Sequence, residues 1–168
     1  MNFQGHLLVS SPVMADPNFA RTVVFVLSHS AEGSLGVVLN RPGEVPVAAR
    51  LPLWEAVTPE PRVVFAGGPV DPTSSIGVAR AGRRIAMVDL AATPPAGIAD
   101  AVRVFSGYAG WGPGQLEMEV SIDAWMVVEA RAEDAFCERP EKLWREVLRR
   151  QRNDMALLSA FTDDPSSN

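Results

Sequence analysis

The apolar positions of this chain fall into short runs, most of them without helical spacing. In "RTVVFVLSH", residues 21–29, β-branched and aromatic residues follow one another with no polar face, the pattern of a strand buried on both sides. "GSLGVVLNRP", residues 33–42, comes after a polar connection containing Glu32 and Gly33, so the two runs suit a hairpin. Pro42 lacks the N–H that a ladder requires and is expected to end the second strand. Further strands are predicted at Val63–Ala66, Ile76–Ala79, Ile85–Leu90 and Trp125–Glu129, bounded by turns at Gly67-Gly68-Pro69, Asp71-Pro72 and Ala81-Gly82.

Helical spacing is rarer. "RPEKLWREVLRRQ", residues 139–151, gathers Leu143, Trp144, Val147 and Leu148 on one side, with Pro140 early and arginines in the last turn. "PPAGIADAVRVF", residues 94–105, reads as a helix running into a strand, its start set by Pro94 and Pro95. "QLEMEVSIDAW" fits two periods: Leu116, Met118, Val120 and Ile122 alternate as in a strand, while Leu116 and Val120 are one helical step apart. Before it, "GYAGWGPGQ", residues 107–115, reads as a glycine-rich loop. Strands in runs with few helices predict an α+β fold with a mostly antiparallel sheet or a partly closed barrel. At 168 residues and 47% hydrophobic content, one domain over 1–161 is expected, followed by a loose polar tail, "TDDPSSN", at 162–168.

Charge and cysteine content narrow the function classes. A net charge of −5 argues against direct nucleic-acid binding, which depends on clustered cations displacing counterions. Arg145, Arg149, Arg150 and Arg152 are interleaved with Glu141 and Glu146 and read as a solvated helix face. Cys137 is the sole cysteine, so an internal disulfide and a thiolate cage within one chain are excluded, which fits a reducing compartment. The N-terminus has no basic segment, and apolar runs such as Val23–Leu27 are far below the ~20 residues of a membrane-spanning helix. A cytoplasmic protein without membrane association is expected.

Several stretches invite a chemical reading. Gly107, Gly110, Gly112 and Gly114 allow close backbone approach, yet their spacing matches no phosphate loop and Glu117 and Glu119 follow at once. They read as architectural, with Tyr108, Trp111 and Gln115 as a candidate binding surface. Gly67 and Gly68 offer amides for an oxyanion, but the chain has no G-x-S-x-G elbow, and Ser74 and Ser75 fall in a turn context. His29 with Asp16 or Glu32 is a candidate base and orienter, set against the reading of a hydrogen-bonded strand-end histidine. Asp16-Pro17-Asn18 reads as a turn unit whose carboxylate accepts backbone N–H groups. Cys137, beside Glu138, reads as an inert thiol, at the surface or semi-buried. His6, His29 and the carboxylates show no metal-ligand spacing, and neither metal nor cofactor is expected.

Taken together, "LLVSSPVMADPNFARTVVFVLSHSAEGSLGVVLNRP", "VFAGGPV" and "FSGYAGWGPGQLEMEV", with "RPEKLWREVLRRQRNDMALL" and the Asp-Asp-Pro ending, resemble the YqgE/AlgH family of bacterial proteins, in a form similar to actinobacterial members. The resemblance covers nearly the whole chain. It implies an α+β fold with a β-rich, barrel-like core flanked by helices, a short helix at 115 and a cytoplasmic protein. It implies little about mechanism: some relatives are described as transcriptional regulators, notably of alginate production, yet the family has no recognisable DNA-binding motif. Many proteobacterial relatives carry a cysteine two residues before the histidine; this chain has Leu27 there, which removes a thiol mechanism at that position.

Two functional readings follow. In the first, a noncatalytic binding or regulatory module uses His29, Asn40, Arg41, Gly67, Gly68, Tyr108, Trp111 and Gln115 to line a groove for a small molecule or a protein partner. In the second, a small hydrolase acts on an anionic metabolite with His29 as base, the Gly67 and Gly68 amides for the oxyanion, and Arg41 as anion clamp.

Overall fold

In the computed structural model, which describes residues 1–92, 94 and 100–160, the apolar runs become strands. They are β1 (His6–Ser10), β2 (Val23–Ser30), β3 (Gly33–Val38), β4 (Pro42–Pro46), β5 (Val63–Ala66), β6 (Val70–Ala81), β7 (Arg84–Val88), β8 (Ala101–Trp111) and β9 (Trp125–Glu129). The helices are short: α1 (Val47–Arg50), α2 (Gln115–Ser121), α3 (Leu143–Arg149) and α4 (Met155–Leu158), with 3-10 turns at Pro52–Val57, Asp134–Phe136 and Pro140–Lys142.

Among the described residues the strands form one nine-stranded sheet in the order β4-β5-β8-β3-β2-β1-β9, with β6 paired to β8 and β7 to β6. Only the β5–β8 pairing is parallel; the others are antiparallel. The expected α+β class and antiparallel sheet are therefore observed, but the sheet stays open. Its terminal strands β4 and β9 do not pair with each other, and closure requires that pairing.

Strand β8 is a rail shared by two half-sheets. Residues 101–108 pair with β6, and Phe105 and Ser106 also with β5; residues 109–111 pair with β3. Gly107, at φ +72°, stands at the changeover. The half-sheets then share one core. Leu7, Val9, Val23, Phe25 and Val37 from the first meet Phe65, Val78 and Phe105 from the second, and α3 closes it with Leu143, Trp144, Val147 and Leu148. The opposite face of the first half, including Leu8, Val24, Val26 and Val38, is covered by Leu116 of α2 and by Phe3, Trp111 and Trp125. The opposite face of the second is covered by Val47 and Trp54. Burial on both faces explains why β2 reads as an unbroken apolar run.

Some elements differ from the sequence reading. Residues 107–111 are the end of β8 rather than a loop, and only 112–114 connect it to α2. Of the helix running into a strand read over 94–105, the strand is the start of β8 at Ala101, while Thr93 and Pro95–Ala99, which hold most of the helical part, lie outside the described residues, as does the tail at 162–168. β3 ends at Val38, and Pro42 opens β4 instead of closing β3; as the first residue of an edge strand it costs no ladder bond. Val63–Ala66, Trp125–Glu129 and the helix within 139–151 lie where expected.

Arg103, fully buried on β8, ties the second half-sheet to two loops. Its guanidinium donates to the carbonyl oxygens of Pro59, Glu60 and Pro61 on one side and of Ala135 and Cys137 on the other, at 3.0 to 3.5 Å, and stacks over the Phe65 ring at 4.3 Å. Burial pulls its pKa down to about 10, so it keeps its charge at neutral pH.

Candidate functional site

The two-residue turn Ala31-Glu32 sets the β2–β3 register, placing Ser30 against Gly33 and His29 against Ser34. Facing residues of an antiparallel pair share a side of the sheet, and here they bond: His29 Nδ1 lies 2.6 Å from Ser34 Oγ. The other ring nitrogen, Nε2, is 3.2 Å from Glu117 Oε1. An ionised carboxylate can only accept, so the proton of the neutral ring belongs on Nε2 and the lone pair of Nδ1 points at the Ser34 hydroxyl, which donates to it. Phe3 packs on the ring at 4.9 Å between centroids. The His29 side chain is 7% exposed and that of Glu117 45%.

α2 brings Glu117 to this corner. Gly114 precedes the helix at φ +72°, the Gln115 side chain accepts the Gly112 N–H at 3.0 Å, and Leu116 is completely buried beneath the helix. Ser28, Ser30 and Leu35 alternate to the opposite face of the hairpin, where a shallow groove of about 260 Å³ is lined by them with Glu32, Gly33, Ser34 and Trp111.

Trp111 faces Ser34 across the β3–β8 pairing; the other predicted residues lie elsewhere, each with a partner of its own. Asn40 accepts the Val23 N–H at 3.0 Å and donates to the Arg21 carbonyl at 2.8 Å. Arg41 donates to the carbonyls of Asn18 and Ala20 at 2.8 and 3.0 Å; burial lowers its pKa, and the charge of Asp16 partly restores it. Both side chains thereby hold the segment after the Asp16 turn, where the Asp16 carboxylate accepts the Asn18 N–H at 2.9 Å. Gly67 donates its N–H to Ser106 and accepts from Val38. A Cβ on Gly68 would stand 2.2 Å from the Tyr108 carbonyl, and one on Gly107 2.5 Å from the Gly68 oxygen. Close crossing of the 67–68 turn over β8 is thus what these glycines permit.

Trp111 is 6% exposed and forms an aromatic trio with Phe19 and Trp125, at centroid distances of 5.5 to 6.3 Å. Tyr108 packs against the shared core. Gln115 serves the turn before α2. Base, oxyanion donors and anion clamp of the hydrolase reading therefore sit on separate elements, and none of the eight predicted residues lines the cleft of about 580 Å³ between Arg131 and Arg150. In that cleft Arg150 grips Asp134 through two bonds of 2.7 Å, and burial pushes the Cys137 thiol pKa up.

Sequence reasoning flagged His29 but missed Ser34 and Glu117. The signal for Ser34 was present in the hairpin: a two-residue turn at 31–32 puts position 34 opposite position 29. Glu117 is distant in the chain and reaches the corner only once β8 has brought α2 back over β3.

Comparison with known proteins matches this architecture. A family model described as AlgH-like matches residues 7–156. A UPF0301 protein of Streptomyces coelicolor is 50% identical, covering 98% of this chain and 94% of the relative; one from Streptomyces avermitilis gives the same figures. The crystal structure of protein DIP2367 from Corynebacterium diphtheriae superposes with a TM-score of 0.89 at 30% identity, over 96% of this chain and 93% of the other. The solution structure of the AlgH protein from Pseudomonas aeruginosa does so with 0.71 at 29% identity, over 96% and 95%. An open nine-stranded sheet with a shared glycine-bearing rail, together with these likenesses, places the chain in the AlgH-like (YqgE/AlgH) family, in its actinobacterial form.

Proposed function

We propose that this protein is a noncatalytic binding or regulatory module of the cytoplasm, acting on transcription through a ligand or partner rather than by holding DNA. Its recognition surface is the corner formed by His29, Ser34 and Glu117. One observation carries the reading: most of the polar side chains singled out in the sequence are spent on the chain's own carbonyls and amides, whereas Glu117 is a half-exposed carboxylate held at the His29 ring. The net charge of −5 supports an indirect action on genes.

A thermal-shift survey of metabolites on wild type and Glu117→Gln tests it. A compound that raises the wild-type melting temperature, and does so less in a variant of unchanged intrinsic stability, is the expected result. The reading is lost if no compound stabilises the wild type and Glu117→Gln fully restores a deletion strain.

A further inference from the structure

Three side chains at the corner form a chain of acid–base groups: carboxylate, imidazole and hydroxyl, linked at 3.2 and 2.6 Å. Nucleophilic serines are activated by this sequence of groups, and it is read here with the ring turned round, the acid on Nε2 and the serine on Nδ1. The inversion leaves the proton chemistry intact, because either imidazole nitrogen can act as the base once the other is held by an acceptor. Phe3 against the ring and the low exposure of His29 fix the imidazole in place. Ser34 is 8% exposed, its side chain on the same face of the sheet as that of His29.

One component of a turnover site is missing at this position. Ser34 faces His29 on one neighbouring strand and Trp111 on the other, and Leu35 faces Ser28 and Gly110. Their amides therefore belong to the ladder rather than to an oxyanion, and an oxyanion donor is commonly the largest single contribution to acyl transfer. We infer that Ser34 is a covalent capture site for an activated acyl group, an ester or thioester, which it takes up stoichiometrically and releases slowly. The inference rests on the corner being the recognition surface proposed above.

The step balances without a co-reactant. Ser34 Oγ forms a bond to the acyl carbon as its proton passes to His29 Nδ1; the bond from that carbon to the leaving oxygen or sulfur breaks, and the leaving group takes the proton from His29. Glu117 holds the transient imidazolium through Nε2–H. The product is an acyl ester on Ser34 with His29 neutral again.

The test uses the full chain and p-nitrophenyl acetate as probe. Expected are a burst of p-nitrophenol equal to the protein concentration, one added acetyl mass mapped to Ser34 by peptide sequencing, and a slow steady phase. Ser34→Ala abolishes the burst, and His29→Gln or Glu117→Gln slows it, by about a hundredfold for the base. Circular dichroism and melting temperature are recorded for each variant, and Ser34→Cys, which keeps a nucleophile at the position, is expected to recover acylation. Folded wild type that gains no acetyl group, or gains it at another residue with Ser34→Ala unaffected, overturns the capture site. If ligand-induced stabilisation is nevertheless lost in Glu117→Gln, the recognition surface stands without the chemistry.

Discussion

Arg103 carries a positive charge into the interior and satisfies it with carbonyl oxygens alone. The arrangement needs a planar fork, since two loops approach the guanidinium from different sides. Arg103→Met is expected to strand these carbonyls and lower unfolding stability by about 3–5 kcal/mol in urea titrations; Arg103→Lys, with one nitrogen to share, should recover less than half. Cys137 sits beside this cluster. Burial favours its neutral thiol, so the folded state keeps a proton that the unfolded chain gives up above the ordinary thiol pKa. Stability should therefore fall as pH rises beyond that value, and the decline should vanish in Cys137→Ala. The role of Arg103 was not legible in the sequence, where it appears as one cation in an apolar stretch. His29 was recognisable because it ends the strongest strand.

At the level of elements, legibility followed the strength of the local pattern. β2, β3, β5 and β9 are dense in β-branched residues and were placed by them, and α3 was placed by its apolar stripe. β1 is only His-Leu-Leu-Val-Ser, too brief for a period, and it is a strand because β2 and β9 flank it. β8 was hidden by its own glycines: Gly107 and Gly110 read as loop residues, yet Gly107 is there because the 67–68 turn crosses the strand. Gly107→Ala tests this account. Positive φ and a Cβ within 2.5 Å of the Gly68 oxygen predict a loss of several kcal/mol, about 2 or more, read as a lowered melting temperature. Gly82→Ala, also at positive φ but with nothing within 4 Å, should cost about 1 kcal/mol.

For the molecule as a whole, the three apolar clusters lie on faces of two half-sheets that have β8 in common. The order of strands in space is far from their order in the chain: β3 is completed by residues 109–111, and β1 by β9. A nascent chain therefore emerges with seven strands made and the one that joins them still unsynthesised. Residues 1–100 alone are expected to show no cooperative unfolding transition by circular dichroism, and adding the segment through α3 should restore one. On the ribosome, the first hundred residues must wait with their apolar strands uncovered. That delay makes early chaperone contact a requirement of the topology rather than of any single weak element.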